Sequence, residues 1–180
     1  MSKHILVLSA SPRKDGNSDL LCDRFVQGAE EAGHRTEKVF LRDKKIGYCV
    51  ACYFCQSNAG ACSRKDDMSD ILDKMIKADV IVLATPVYFY TMDAQIKTLI
   101  DRTVARYTEI HSKTFYFIAT AAVTDKSLLD RTFEGFRGFL QCLPGAIEAG
   151  VIYGTGAWKA GEIKNRPAMN EAYEMGKRII

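Results

Sequence analysis

From residue 4 to residue 153, short apolar runs alternate with stretches whose apolar residues recur every three or four positions. That pattern predicts strands separated by amphipathic helices. His4 to Ser9 is aliphatic and ends in small polar residues, a first strand. Asn17 to about Gly33 then places Leu21, Phe25, Ala29 and Ala32 on one helical face. Thr36 to Leu41 also reads as a strand, and its charged positions, Glu37 and Lys38, suggest a sheet edge. Met68, Ile71, Leu72, Met75 and Ile76 follow a helical period behind Asp66 and Asp67, whose charges suit a helix start. Val80 to Ala84 is apolar without alternation and reads as a central parallel strand covered on both faces. A loop through Thr85 to Tyr90 leads to a helix through Ile96, Leu99, Ile100 and Val104, capped near Asp93. Thr114 to Thr120 and Ala146 to Tyr153 are further strands, and Leu128, Leu129, Phe133, Phe136 and Leu140 mark the helix between them. A closing helix runs from about Pro167, since proline is tolerated in a first turn.

Five strands alternating with helices predict an α/β three-layer sandwich on a five-stranded parallel sheet, because crossover helices must cover both faces. The 180 residues fit one domain, 1–180, carrying a cysteine-rich loop at 49–62. In such sheets ligands lie beyond the carboxyl ends of the strands, where the winding reverses, so the loops after the first, third and fourth strands become candidates. Composition narrows the partners. With 25 Lys+Arg against 22 Asp+Glu the net charge is +3, too small and too dispersed for nucleic acid. No apolar run approaches the roughly 20 residues that span a bilayer, and the opening residues do not resemble a signal peptide. The expectation is a cytoplasmic protein with neither nucleic acid nor membrane as partner.

The first candidate loop, Ser9-Ala10-Ser11-Pro12-Arg13-Lys14-Asp15-Gly16-Asn17-Ser18, brings hydroxyls, a carboxamide and two cations to a helix start. Backbone N–H groups there attract an anion, Ser9, Ser11, Asn17 and Ser18 can complete its hydrogen bonds, and Arg13 or Lys14 can add charge. The loop lacks both the Gly-Lys-Ser/Thr ending of a triphosphate loop and G-x-G-x-x-G, so it favours an isolated phosphomonoester. The competing reading is a plain turn and helix cap. The second loop, Thr85 to Met92, carries three consecutive aromatics that cannot all point inward. They suit the flank of a planar isoalloxazine, or else an aromatic lid or dimer surface. The third, Thr120-Ala121-Ala122-Val123-Thr124, is small enough to lie beneath a flat ring.

These segments, together with Asp66-Asp67-Met68, Ala84-Thr85-Pro86-Val87-Tyr88-Phe89 and Ala94-Gln95-Ile96-Lys97 through Asp101-Arg102, resemble the NAD(P)H-dependent FMN reductase and iron-sulfur flavoprotein families of the flavodoxin-like superfamily. The resemblance covers most of residues 4–153. It implies strand order 2-1-3-4-5, bound FMN, NADH or NADPH as cosubstrate, and assembly as a homodimer or homotetramer. It implies that Ser9, Ser11, Arg13, Asn17 and Ser18 surround the phosphate. Pro86, Val87, Tyr88 and Phe89 would contact the flavin, Thr120, Ala121 and Ala122 would complete the ring site, and Asp101-Arg102 would support structure. The expected activity is electron transfer from NAD(P)H to free flavin, a quinone, another small acceptor or a redox protein, with the chemistry on the flavin and no catalytic side chain. The alternatives are an iron-sulfur flavoprotein coupling FMN to a [4Fe-4S] cluster and a flavodoxin-like carrier without NAD(P)H turnover.

Cys49, Cys52, Cys55 and Cys62 form C-x2-C-x2-C-x6-C, four soft ligands at a spacing suited to a [4Fe-4S] cluster near the flavin, as in iron-sulfur flavoproteins. Zinc, a C-x-x-C redox pair and simply reduced thiols are the other readings. Cys22 and Cys142 fall within helical patterns and read as packed residues. His4, His34 and His111 form no base constellation. Arg42, Lys44 and Lys45 form either a site for an additional phosphate or a solvated charge run.

Overall fold

The computed structural model describes residues 1–180. The chain runs β1 (His4–Ser9), α1 (Asn17–Glu31), β2 (Arg35–Phe40), α2 (Phe54–Ser57), α3 (Met68–Lys77), β3 (Val80–Tyr88), β4 (Thr91–Met92), α4 (Ala94–Arg102), β5 (Thr114–Thr120), α5 (Asp130–Gln141), β6 (Ile147–Gly154) and α6 (Ala168–Lys177). Five strands pair in parallel in the order β2-β1-β3-β5-β6, which is the expected 2-1-3-4-5 path once the short β4 is set aside.

The pleat sends successive side chains to opposite faces, so each apolar strand feeds two cores. Leu6 and Leu8 of β1, Ile81 and Leu83 of β3, and Phe115 and Phe117 of β5 meet Ile71 of α3, Ile96 of α4 and Phe133 of α5. Ile5, Val7, Val80, Val82 and Ile118 point the other way, toward Leu21 and Phe25 of α1 and Ala172 of α6. That double burial is why β1 and β3 carry no polar alternation. At the edge, β2 keeps Arg35 exposed and most of its residues half-buried.

Three sequence expectations need correction. β3 continues through Thr85, Pro86, Val87 and Tyr88, which had read as loop. Pairing with β1 ends at Ala84 while pairing with β5 continues to Pro86, so the proline has no strand on its β1 side and its missing N–H breaks no ladder there. Second, a sixth strand exists: β4 pairs antiparallel with the end of β3, Tyr88 facing Thr91 and Val87 facing Met92. Third, Cys142 is exposed rather than packed. It lies one residue beyond α5, where the apolar face ends with Leu140 and Leu143 on either side.

Candidate functional site

The phosphate-type loop crosses from β1 to α1 at the reversal of winding between β1 and β3. Ser11 Oγ donates to the Arg13 carbonyl at 2.9 Å and accepts from the Arg13 N–H at 3.3 Å, which folds the loop into a tight turn. Arg13 Nη1 donates to the Trp158 carbonyl beyond β6. The N-cap of α1 is Gly16, and no side chain caps the helix. Its first N–H groups therefore lack the partner that a Ser or Asp cap supplies. Beside them the Ser18 hydroxyl is buried, the residue being 1% exposed, with no hydrogen-bond partner. An uncapped helix start and an orphaned hydroxyl are what a phosphate would satisfy.

A cavity of about 290 Å³ opens in front of this helix start. Ser11, Arg13, Asn17 and Ser18 line one end, Pro86 to Phe89 one wall, and Thr120, Ala121 and Ala122 another. Of the residues named from the sequence, Ser9 and Lys14 do not line it. Ser9 Oγ lies beneath the loop and donates to Asp19 at 2.9 Å, and Lys14 is exposed. Asn17 lines the cavity, but its amide works on the fold. Nδ2 donates to the Ala157 and Lys159 carbonyls and Oδ1 accepts from the Ile163 N–H, tying α1 to the segment after β6. Pro12 and Gly16, which belong to the loop read from the sequence, complete the lining with Ala157 and Trp158, which were not singled out. For Trp158, the only tryptophan, standing just after a Gly-Thr-Gly turn at a strand end was an available signal.

Phe89 and Tyr90 form the two-residue turn between β3 and β4, both with positive φ, 49° and 63°. Such a type I′ turn is normally Asn-Gly, and bulky residues there cost about 1–3 kcal/mol each. At this turn Phe89 is 98% exposed and lines the cavity. Replacing the pair by Asn-Gly is expected to raise stability by about 1–2 kcal/mol in thermal melts. It removes the aromatic edge of the cavity at the same time.

Asp93 caps α4, its Oδ1 accepting from the Ile96 N–H at 3.0 Å, as the sequence led us to expect. Its Oδ2 is buried without a partner. Burial pushes this carboxyl from 3.8 up to about 6. Between those values the unfolded chain is ionised and the native chain protonated, so this group makes stability fall as pH rises through that window. Asp93→Asn keeps an acceptor for the cap and removes the titration. Urea unfolding from about pH 4 to 7 should show the wild type losing stability relative to this variant as pH rises.

The NADPH-dependent FMN reductase family model matches residues 4–138, a span that contains all three loops but not the segment after β6. The chain belongs to this family. An iron-sulfur flavoprotein of Archaeoglobus fulgidus is 30% identical over 191 aligned positions, covering 98% of this chain and 93% of that protein. A second from the same organism is 40% identical over 92 residues, and one from Methanocaldococcus jannaschii 41% over 98. Those two matches span only 41% and 50% of the relatives' lengths. Among solved structures, an NAD(P)H:quinone oxidoreductase from Methanothermobacter marburgensis superposes with a TM-score of 0.78 at 16% identity, over 98% of this chain and 96% of that one. An azoreductase from Bacillus anthracis does so at 0.77 and 16% identity, over 99% and 100%. At that identity the superpositions establish the flavodoxin-like fold.

In this FMN reductase family member the cysteine loop is anchored by Arg102. Its Nη1 donates to Asp66 Oδ2 at 2.7 Å and to the Gly47 carbonyl at 2.5 Å, and its Nη2 to Asp66 Oδ1 at 3.0 Å and Cys62 Sγ at 3.5 Å. The guanidinium holds the Asp66 carboxyl below the usual carboxylate range. Cys49, Cys52, Cys55 and Cys62 all line one recess of about 250 Å³. Four soft donors around one hollow suit an iron-sulfur cluster chemically. The loop stands open, however, since no three His, Cys, Asp or Glu side chains are close enough together to hold a metal ion. Cys22, by contrast, is fully buried, and burial pushes its thiol up to about 12, which makes it an inert packing residue. No helix is long and apolar enough to cross a membrane.

Proposed function

We propose that the chain binds FMN in the cavity between the three loops and oxidises NADH or NADPH, passing the electrons to a small acceptor such as free flavin or a quinone. The observation that carries this reading is the uncapped start of α1 with the unpartnered Ser18 hydroxyl beside it, facing a cavity walled by aromatic and small residues. A phosphomonoester carries the charge and acceptor oxygens that this end lacks. Ser11 and Ser18 would hold the phosphate with the first N–H groups of α1, and Arg13 would add charge. Pro86 to Phe89 and Thr120 to Ala122 would line the ring. FMN, when bound, supplies hydride acceptance and donation. The protein's part is to fix the ring, to present N–H donors along its edge and to leave one side open to a nicotinamide. No side-chain acid or base is assigned.

Anaerobic addition of NADPH or NADH to the FMN-loaded protein tests this. Bleaching of the flavin band by either, with colour restored by an added quinone, supports an oxidoreductase. A band that stays unbleached with both cosubstrates leaves the carrier reading instead.

A second reading, an iron-sulfur flavoprotein, is favoured by the placement of all four loop cysteines around one recess and by the name of the relative matched over 98% of this chain. Cys49, Cys52, Cys55 and Cys62 would be the ligands, and a cluster would supply one-electron steps. Iron and acid-labile sulfide after anaerobic purification, near four of each per chain, support it. Neither element in a protein that holds FMN removes it.

A further inference from the structure

The proposed flavin cavity does not end at Phe89. Pro12, Tyr88 and Phe89 also wall a second hollow of about 560 Å³ that runs past the start of α4. That hollow shares Ala94 and Gln95 with a third, of about 230 Å³, at the end of β2. The three hollows are thus joined by common walls along one side of the molecule. At the second joint the Gln95 side-chain oxygen is buried with no hydrogen-bond partner. It is an acceptor that needs an N–H or O–H from outside the protein.

The third hollow is the one place where the Arg42, Lys44 and Lys45 run seen in the sequence acquires a direction. Arg42 and Lys44 line it with Thr98, and Lys45 does not. Arg42 lies over the Phe40 ring, 4.4 Å to the centroid, and is held through Nη1 by the Arg13 carbonyl and Asp19 Oδ2, both at 3.4 Å. Its Nη2 has no protein acceptor. Lys44 is exposed and in no ion pair, and Thr98 supplies a hydroxyl. A ligand that fits this track is long, begins at the flavin, offers a donor at its middle and ends in an anion. NADPH meets all four conditions. Its ribose hydroxyls and adenine amine are donors for Gln95, and its 2′-phosphate is the group that NADH lacks.

The geometry points to the track along α4 as the dinucleotide site, with Lys44 and Arg42 receiving the adenosine 2′-phosphate, so that Lys44 sets a preference for NADPH over NADH. This rests on the reading of the chain as an NAD(P)H-oxidising flavoprotein. Lys44 is the residue to vary, because Arg42 also braces the loop beneath the FMN phosphate.

The first measurement needs neither flavin nor turnover: calorimetric titration with adenosine 2′,5′-bisphosphate and with 5′-AMP. The wild type should bind the bisphosphate more tightly. Lys44→Ala should lose about fivefold to tenfold for the bisphosphate and nothing for AMP, with the loss shrinking at high salt. Lys45→Ala should match the wild type. In turnover, Lys44→Ala should lower kcat/KM for NADPH relative to that for NADH by a similar factor, with the loss falling on KM. Equal affinity for the two nucleotides in the wild type, or an unchanged Lys44→Ala, overturns the assignment. A protein that fails to hold FMN, or whose flavin neither cosubstrate bleaches, refutes the parent reading alone, and the bisphosphate titration still decides the fate of Lys44.

Discussion

Gly16→Val is expected to strip FMN from the protein while leaving the chain folded. Gly16 has φ −67° and ψ 162°, a backbone conformation open to any residue, so the argument is about space rather than strain. A Cβ built there overlaps Ser11 Oγ and stands 3.1 Å from the Arg13 carbonyl. The two valine methyl groups would extend from that point into the cavity that Gly16 lines, in front of the uncapped N–H groups of α1. Hydrogen bonds to a charged group are worth about 1.5–3 kcal/mol each, so losing two raises the Kd for FMN by about a hundredfold or more. Flavin fluorescence titration measures that loss, and a melt of the flavin-free protein should shift by only a few degrees, because the overlapped atom is the end of the Ser11 side chain, which can turn aside. An FMN affinity within about threefold of wild type would place the phosphate elsewhere.

The largest expected effect on stability belongs to Arg102→Leu. Arg102 is 3% exposed at the end of α4, where it binds the Asp66 carboxylate with both terminal nitrogens and reaches Gly47 and Cys62 on the two flanks of the cysteine loop. Leucine fills similar volume but leaves Asp66 without its cation and the Gly47 carbonyl without that donor. Breaking a fully buried pair costs about 3–5 kcal/mol; because the Asp66 side chain is 13% exposed, we expect about 2–4. Tm should fall by about 5–10 °C. The sign of the pH effect follows from the lowered carboxyl of Asp66. The contribution is present above its unfolded value, near 3.8, and is lost as pH falls through the lower folded value. The variant should therefore lose much of its disadvantage in strong acid. FMN affinity should change far less than in Gly16→Val, since Arg102 does not line the cavity in front of α1.

The sheet was legible because Ile5 to Leu8 and Val80 to Ala84 are apolar on both faces, a pattern that only a covered parallel strand sustains. The β3–β4 hairpin was not, because its turn is Phe89-Tyr90 and the usual glycine marker is absent. Ser9 and Asn17 could be read as polar residues of a ligand loop. Their partners, Asp19 for one and Ala157, Lys159 and Ile163 for the other, lie across distances in sequence that periodicity does not address. The same holds for Trp158, which joins the site only because β6 lies beside β5. The cysteine spacing identified one loop and one recess, but spacing along a chain does not set the distance between sulfurs in an open loop.

The central claim is that the start of α1 holds the phosphate of FMN. Titrating the purified protein with FMN and, separately, with riboflavin tests it most directly, since the two ligands share the ring and differ only in the phosphomonoester. The account predicts one FMN per chain and riboflavin weaker by about a hundredfold, the difference owed to Ser11, Ser18 and the α1 N–H groups. Equal affinity for the two, or binding of neither, would contradict it.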